Sequence, residues 1–424
     1  MRRYESYKDS GVEWLGEVPH CWDVKKVKNI FHLIAEPAAK NNQCELLSVY
    51  TDIGVKPRAE LEERGNKAST TDGYWIVKKG DIVVNKLLAW MGAIGLSEYD
   101  GVTSPAYDIL RPHQQINGKF FHYLFRTPLC LSEFKKNSRG IMDMRLRLYF
   151  EELGNIYIPF PSYPEQQKIA QFLDDKTAKI DQAVDLAEKQ IALLKEHKQI
   201  LIQNAVIRGL NPDVPLKDSG VEWIGQVPEH WDVKKLKNIA LIFNGATPSS
   251  NNQDYWDGNI VWITPKDINN IKFITSSERK ITQKGYENCG SYLVSPGTIV
   301  ITTRAPIGKV AITDVELCTN QGCKSLVLNE KINNIFLYYY LTVSTEYLNS
   351  LGSGTTFMEL SGTALGIIKV PFPSIQEQQQ IADYLDTQTA KIDQAIALKT
   401  AHIEKLKEYK SVLINDVVTG KVQV

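Results

Sequence analysis

Two long stretches of the chain repeat apolar residues at alternating spacings of four and three positions. No proline or glycine interrupts residues 165–207 or 375–418, where these repeats lie. Such a pattern places one apolar stripe along an α-helix, and a partner helix can cover that stripe. We therefore predict two helices of about 40 residues, each on the order of 60 Å long. The seam positions are Leu173, Ile180, Val184, Ile191, Leu194, Leu201, Leu385, Ile392, Ile396, Ile403, Leu406 and Leu413.

A Pro-Phe-Pro-Ser sequence precedes each predicted helix. The prolines end an extended segment, and Ser162 or Ser374 can cap the helix that follows. Glu165 and Glu377 stand three residues after these serines, which is the spacing of a capping box. Both helices are therefore predicted to begin close to these serines.

Other segments alternate apolar and polar residues over short runs, which is typical of strands. Such runs occupy much of residues 73–112 and 291–313, between glycines and aspartates. The segment WDVKKVKNI at 22–30 also alternates like a strand. Trp14 and Trp22 are predicted to be docking residues that anchor this segment, rather than residues that stack on a ligand.

The chain contains a tandem repeat of a frame that surrounds two inserts. Residues 7–30 return at 216–239 with eighteen of 24 positions identical, and 159–182 return at 371–394 with seventeen of 24 identical. The intervening segments, 31–158 and 240–370, are 128 and 131 residues long and share little sequence. Duplicated domains can simply drift apart, but uniform drift would also blur the frame. The contrast favours two inserts with different targets.

These patterns predict an α+β fold with a pseudo-twofold internal duplication. Two mixed α/β domains, at 1–158 and 211–370, are joined by two long antiparallel coiled-coil helices within 159–210 and 371–424. The nearest apolar stripe that matches each helix is the one on the other copy. The alternative is that each helix packs on its own insert.

Composition changes this picture only slightly. The chain has 49 basic and 49 acidic residues, and this zero net charge argues mildly against a nucleic-acid binder unless the basic residues are clustered. The six cysteines form no CxxC pair and fit reduced core thiols. No apolar stretch approaches the length of a membrane span or a signal peptide, so we expect a soluble, cytoplasmic protein without a membrane partner.

Each insert contains two segments that could contact DNA. The first follows a Gly-(Asp/Thr)-Ile-Val strand, and the second lies at 135–147 or 352–362. Arginine and lysine suit guanine edges and phosphates, and serine and threonine contact either. A charge run is often only a solvated face, which stays an open reading for Lys135 and Lys136. The candidates in these segments are Lys86, Trp90, Arg139, Arg145, Arg147, Thr303, Arg304, Lys309, Ser353, Thr355 and Thr356. Lys266 is a further candidate in the run WITPKDI at 262–268, for which core packing is the alternative.

Sequence motifs for catalysis are missing. The chain has no GxxxxGK(S/T), no Asn/Asp-Pro-Pro-aromatic tetrad, no HExxH and no metal-ligand cluster. We therefore predict a binding protein without a catalytic site or a metal site. Two alternatives remain: a fragment of a single-chain enzyme, and a coiled-coil scaffold whose inserts bind proteins.

The frame motifs G-V-E-W-(L/I)-G-x-V-P-x-x-W and P-x-P-S-x-x-E-Q-Q-x-I-A-x-x-L-D-x-x-T-A-K-I-D resemble those of the specificity subunit of type I restriction-modification systems. The resemblance covers nearly the whole chain. It implies two target-recognition domains that each read half of a split site in the major groove of double-stranded DNA, with the helices as a ruler between them. It also implies two methyltransferase subunits and restriction subunits as partners, and under the enzyme alternative the chain is a fragment of a single-chain restriction-modification enzyme. S-adenosylmethionine, ATP and magnesium would be held by those partners, with no cofactor on this chain.

Overall fold

The computed structural model describes residues 2–60, 71–269, 271–353 and 358–424. The chain divides into two compact units. Unit 1 contains residues 1–188 and 400–424, and unit 2 contains residues 189–399. Each unit therefore includes one insert and a part of each long helix.

The elements that begin in unit 1 are twelve short strands and four helices, counted over the described residues. The strands are β1 Tyr7–Asp9, β2 Glu17–Pro19, β3 Asp23–Lys26, β4 Phe31–Ile34, β5 Leu47–Tyr50, β6 Gly54–Pro57, β7 Trp75–Val77, β8 Ile82–Asn85, β9 Ile94–Leu96, β10 Gly101–Thr103, β11 Tyr107–Pro112 and β12 Tyr157–Phe160. The helices are α1 Gly118–Phe125, α2 Pro128–Lys136, α3 Phe150–Leu153 and α4 Tyr163–Arg208.

The elements that begin in unit 2 follow a similar order. The strands are β13 Leu216–Asp218, β14 Gln226–Pro228, β15 Asp232–Lys235, β16 Ala240–Asn244, β17 Trp256–Ile263, β18 Phe273–Ile274, β19 Lys280–Ile281, β20 Ile299–Thr302, β21 Val310–Thr313, β22 Leu317–Thr319, β23 Cys323–Leu328 and β24 Lys369–Phe372. The helices are α5 Gln283–Glu287, α6 Asn334–Val343, α7 Thr345–Ser350, α8 Gly362–Ile367 and α9 Ile375–Val418.

The two inserts share a sheet although their sequences differ. The strand order is β4-β11-β8-β9 in unit 1 and β16-β23-β20-β21-β18 in unit 2. Strands β8 and β20 are buried along their whole length, which explains their continuous apolar runs. The register aligns Asp108 opposite Val84 in unit 1 with Lys324 opposite Ile301 in unit 2. The first four strands of each sheet therefore correspond in order and register, and unit 2 adds β18 at one edge.

The repeated tryptophans are core residues of the frame. Trp22 and Trp231 are fully buried, and strands β3 and β15 beside them pair with β12 and β24, which lead into the long helices. The predicted strand is shorter than expected, because β3 ends at Lys26 and residues Val27–Asn29 form a 3-10 turn. The docking role predicted for Trp22 agrees with this burial.

Of the two expected capping boxes, the one in unit 2 has its serine half formed. The Ser374 hydroxyl accepts a hydrogen bond from the backbone N–H of Glu377, as a cap should. The Glu377 carboxylate instead accepts one from the Trp231 indole N–H at 3.0 Å. In unit 1 the corresponding Glu165 accepts one from the Tyr4 hydroxyl at 2.7 Å. These glutamates therefore tie the N-terminal segment of each frame copy to its helix.

Each insert contacts the long helix that follows it through glutamine, aspartate and threonine side chains. These residues stand at matching positions in the two frame copies. Buried Gln166 accepts a hydrogen bond from the backbone N–H of Asn117, the N-cap of α1, at 2.9 Å, and Gln378 does the same for Asn333 of α6 at 2.7 Å. The Tyr123 hydroxyl donates to Asp174 at 2.8 Å. In unit 2, Tyr339 donates to Asp386 at 2.6 Å and lies 3.0 Å from Thr389. The first turns of each long helix thus pack on the insert that precedes it.

Further along, each long helix packs against a part of the other within each unit. In unit 2, Lys399 donates to Gln190 at 2.6 Å and Lys198 donates to Asp393 at 2.7 Å. One helix ascends in number as the other descends, so these parts run antiparallel. Unit 1 contains the equivalent pair, with Lys410 2.6 Å from Asp181.

All twelve seam positions are buried or half-buried in their unit. Packing between helices and packing of a helix on its insert, which the sequence presented as alternatives, therefore occur in successive stretches of the same helices. The mixed α/β content and the two long helices of 46 and 44 residues agree with the predicted fold class.

Candidate nucleic-acid interface

The two segments that the sequence nominates in each insert lie side by side in the structure. In unit 1 the loop 86–92 meets the hairpin 138–148, where the backbone N–H of Leu148 donates to the carbonyl of Lys86 at 2.9 Å. In unit 2 the loop 303–309 meets residues 358–360, where Leu360 donates to Thr303 at 2.8 Å. The two hydrogen bonds are at equivalent strand ends. We call segments 86–92 and 138–148 the paired loops of unit 1, and segments 303–309 and 358–360 the paired loops of unit 2.

The first loop of unit 1 holds its candidate side chains against the protein. The Lys86 ammonium lies 3.2 Å from the Asp108 carboxylate and 3.2 Å from the carbonyl of Pro105. Burial raises the pKa of Asp108, and the Lys86 charge opposes that rise. The Trp90 indole N–H donates to the carbonyl of Leu87 at 3.1 Å, and the ring packs on the core. Lys86 and Trp90 therefore support the loop in this structure, and neither is presented as a free contact.

The hairpin of unit 1 presents its arginines outward. Arg139 and Arg147 are cross-strand partners that exchange two backbone hydrogen bonds of 2.9 Å. Arg145, like these two, is exposed, whereas the alternating Leu146 and Leu148 are buried. Arg139 forms an ion pair with Glu152. Within the described part of the chain, neither Arg145 nor Arg147 has an acidic partner.

Two exposed apolar residues at the tip of this hairpin escaped the sequence analysis. Ile141 is 99% exposed and Met142 is 60% exposed. The sequence places them between charged residues, so their apolar character reads as an ordinary strand position. Only the turn of the hairpin shows that they face solvent beside Arg145 and Arg147.

The candidate side chains in the paired loops of unit 2 are less accessible than the arginines of unit 1. Thr303, expected on an accessible loop, is fully buried, and its N–H donates to the carbonyl of Gly322 at 2.8 Å. The Arg304 guanidinium lies 3.0 Å from the Glu359 carboxylate. Lys309 donates to Asn269 at 3.1 Å. Of these three candidates, none offers an unengaged charged side chain.

Ser353 is exposed and is the cross-strand partner of Glu359. It therefore corresponds to Arg139 of unit 1, just as Glu359 corresponds to Arg147. Thr355 and Thr356, which were also nominated, lie outside the described residues.

The sheet beneath the paired loops carries a buried charge of opposite sign in each unit. Lys324 occupies the register position of Asp108 and donates to Asn244 at 2.8 Å. Burial lowers the pKa of Lys324, while the nearby Glu359 opposes that change. No sequence pattern pointed to the equivalence of Asp108 and Lys324, because strands of such different composition can be aligned only through their register.

Unit 2 has a cleft of mixed charge beside its paired loops. It is lined by the basic Lys266 and Arg279 and the acidic Asp267 and Glu278, together with Trp262, Thr264, Pro265, Ala305 and Asn320. Lys266 is exposed there, as expected for a contact residue. The Arg279 guanidinium stacks on the Trp256 ring, 3.6 Å from its centroid. Arg279 was missed because Trp256 and Arg279 are far apart in sequence.

Metal binding and membrane insertion find no support in the described residues. No group of three His, Cys, Asp or Glu side chains in them could hold a metal ion. Nor does any helix in the same residues combine the length and apolarity that a membrane span needs. The chemistry that this surface offers is that of guanidinium and ammonium donors, which recognise phosphates and base edges.

Comparison with known proteins identifies the class to which this fold and surface belong. A family model described as the type I restriction modification DNA specificity domain matches residues 19–195 and 228–408. These two matches cover most of the chain and follow its duplication. The chain therefore belongs to the family of type I restriction-modification DNA specificity subunits.

Several relatives are similar to the chain. The type I restriction enzyme MjaIX specificity subunit of Methanocaldococcus jannaschii is 44% identical over 166 residues, which is 38% of this chain and 38% of that protein. The chain thus spans well under half the length of this relative at that level of identity. The putative MjaX specificity subunit of the same organism is 26% identical over 443 aligned positions, 99% of this chain and 97% of that protein.

Solved structures agree on the fold. A chain from a study of complex assembly and conformational transition of the type I R-M system superposes with a TM-score of 0.76, covering 96% of this chain and 99% of that one. The HsdS subunit from Thermoanaerobacter tengcongensis gives a TM-score of 0.59, with 96% and 98% covered. Both are 16% identical, so they bear on the fold alone. The predicted fold class is confirmed.

Proposed function

We propose that this chain is the DNA-reading, non-catalytic subunit of a type I restriction-modification complex, and that its two units read different halves of a bipartite target. The observation that carries the proposal is that one sheet topology supports paired loops of different chemistry in the two units. Unit 1 presents exposed arginines, whereas unit 2 pairs its arginine with Glu359 and adds the cleft of Lys266 and Arg279. Different side chains on equivalent backbones favour different bases.

A target that is split into two half-sites is compatible with the zero net charge of the chain. Each wrong base pair costs about 1–3 kcal/mol, so two half-sites multiply specificity without very tight binding by either unit. A covalent link makes the second contact effectively intramolecular. Basic partner subunits would supply the remaining attraction to phosphates.

Methyltransferase and restriction subunits are the proposed protein partners, and they would carry S-adenosylmethionine, ATP and magnesium. Apolar residues on the outer side of the long helices support docking of a protein there. Leu193 and Ile200 of unit 2 are 63% and 49% exposed and are seven residues apart on α4. Large apolar side chains that stay exposed at heptad spacing are typical of an interaction surface.

Methylome sequencing of a strain that expresses this subunit with its methyltransferase tests the central proposal. The expected result is a bipartite methylated site with two unlike halves, and a continuous site or no site would contradict it. Exchange of residues 31–158 for another family member's insert should change one half and leave the other intact. Purified chain incubated alone with DNA and S-adenosylmethionine should transfer no methyl group, and transfer would show an enzyme.

The length of the helices is proposed to fix the spacer between the halves. An insertion of one helical turn after Glu188 should alter the spacer while both half-sites stay the same. The measurement is again the methylome, with a substitution-only variant at Glu188 as the control. An unchanged spacer would reject the ruler.

A further inference from the structure

We propose that the hairpin 138–148 of unit 1 is a specificity-determining element that reads a G·C pair in the major groove, with Arg145 and Arg147 as donors to guanine. This inference rests on the proposed function and names the base class that one unit recognises. It is argued from the placement of charge, acid partners and apolar residues on the hairpin.

The cross-strand arrangement of the hairpin favours an anionic or strongly accepting ligand. Arg139 and Arg147 are direct antiparallel partners, so their side chains leave the same face of the hairpin. Like charges directly opposite each other destabilise a strand pair. Acceptors placed between the two side chains would relieve that repulsion.

The protein itself neutralises only part of this charge. Glu152 forms an ion pair with Arg139, and Asp143 lies 2.8 Å from Lys135 rather than near an arginine. Arg145 and Arg147 are left without an acidic partner among the described residues, and both are exposed. Because Leu146 and Leu148 are buried between and after them, the backbone of this strand is anchored to the core. The two unpaired guanidinium groups are therefore carried on an anchored backbone and are available as donors.

The apolar tip of the hairpin favours contact with base edges over contact with the phosphate backbone. Ile141 and Met142 lie at the turn and are mostly exposed. Apolar side chains gain little beside hydrated phosphates, whereas the floor of the major groove contains thymine methyl groups that accept apolar contact. Bidentate donation by arginine to guanine O6 and N7 is the commonest specific contact in that groove. The combination of free arginines with an apolar tip thus points into the groove.

The equivalent segment of unit 2 lacks these features. Residues 352–360 contain no arginine, and Glu359 stands where unit 1 has Arg147. Arg304 is already engaged by that glutamate. The guanine contacts made by this segment are therefore assigned to unit 1.

The test uses the full chain in complex with its methyltransferase and the target found by methylome sequencing. Each guanine of the half-site assigned to residues 31–158 is replaced in turn by 7-deazaguanine, which lacks the N7 acceptor but keeps Watson–Crick pairing. Binding of wild-type complex should weaken at least about fivefold at one or more of these positions. The same replacement in the other half-site is the matched comparison, and any loss there should be unchanged by substitution of Arg145 or Arg147. A loss there that these substitutions abolish would overturn the assignment to unit 1.

Variants connect that loss to the hairpin. Arg147→Ala and Arg145→Ala should weaken binding about 5- to 150-fold, and at least one of them should make the complex insensitive to 7-deazaguanine. Lys40→Ala, an exposed change in the same unit, is the control and should retain the wild-type response. At whichever of the two positions alanine abolishes the response, a change from arginine to lysine keeps the charge but loses the fork, and it should also abolish the response.

Three outcomes would overturn the inference while leaving the proposed function intact. They are a unit 1 half-site without a G·C pair, wild-type binding that ignores 7-deazaguanine, and arginine variants that weaken all DNA equally with a salt slope shallower by about 0.9, the signature of a phosphate contact. Absence of any bipartite methylated site would instead reject the proposed function. The analogue experiment uses unaltered protein, so it stands even if a variant fails to fold.

Discussion

Units 1 and 2 share four strands of their main sheets and the same contacts between insert and long helix. At equivalent positions, however, their side chains have different charges. Beneath the paired loops, unit 1 buries Asp108 beside Lys86, whereas unit 2 buries Lys324 beside Asn244. On the hairpin, unit 1 opposes two arginines, whereas unit 2 opposes Ser353 and Glu359. The sheet therefore fixes where the loops lie, and the electrostatic character of each surface varies independently of the fold.

The frame also contains one asymmetry, at its tryptophans. The Trp231 indole N–H donates to Glu377, whereas the N–H of the equally buried Trp22 has no partner within the described residues. In unit 1 the corresponding Glu165 is bound to Tyr4 instead. The two frame copies are thus alike in packing but different in one charge-assisted hydrogen bond.

The largest expected effect comes from that difference. Trp231→Phe should destabilise the protein by about 1.5–3 kcal/mol more than Trp22→Phe, because a hydrogen bond to a charged group is lost only at Trp231. Both changes remove similar packing volume, so each is the control for the other. Denaturant unfolding followed by circular dichroism measures the difference, and equal losses would show that the Glu377 contact contributes nothing.

A smaller effect is expected at the buried charges of the sheet. Lys324→Met keeps most of the volume and removes a desolvated ammonium, so we expect stabilisation by about 1 kcal/mol at pH 7. Since burial lowers the folded pKa of Lys324 below its unfolded value, the unfolded chain binds more protons between these two values. The free energy of unfolding of the wild type should therefore rise relative to that of Lys324→Met as the pH rises toward the unfolded pKa.

The opposite pH dependence is expected in unit 1. Burial raises the folded pKa of Asp108, so the folded chain binds more protons between the unfolded and folded values, and stability falls as pH rises through that window. Urea unfolding of wild type, Lys324→Met and Asp108→Asn across pH supplies the comparison. Slopes of the same sign at the two sites would contradict the assignment of both shifts to burial.

These buried charges also mark the limit of what sequence could predict. The long helices, the duplication and the docking role of Trp22 could be predicted because heptad spacing and identical blocks are visible within short stretches of sequence. The equivalence of Asp108 and Lys324 depends on strand register, which no local pattern encodes. Lys86 and Arg304 were nominated by type, but Asp108 and Glu359 that engage them lie 22 and 55 residues away in the chain. Arg145 and Arg147 were also proposed by residue type, and their exposure between the buried Leu146 and Leu148 became visible only in the structure.

The difference between the two hairpins can be narrowed by one substitution. Glu359→Ala frees Arg304 and should bring unit 2 closer to unit 1. We expect nonspecific DNA binding to strengthen and its salt dependence to steepen by about 0.9, the contribution of one added phosphate contact. Fluorescence anisotropy over a salt series measures the slope. The double variant Glu359→Ala, Arg304→Ala is the control, and it should return the slope to the wild-type value.

The smallest effects are expected where the two units are alike. Lys198–Asp393 of unit 2 and Lys410–Asp181 of unit 1 are equivalent ion pairs between the long helices, with similar partly exposed side chains. Because solvent screens such pairs, Asp393→Ala and Asp181→Ala should each cost about 0.2–1 kcal/mol. Thermal unfolding should show nearly equal losses that shrink at 1 M salt, where the screening length is about 3 Å. Losses that differ clearly between the two variants would mean that the frame, like the inserts, has diverged in its electrostatics, and that the symmetry of the helices is one of packing alone.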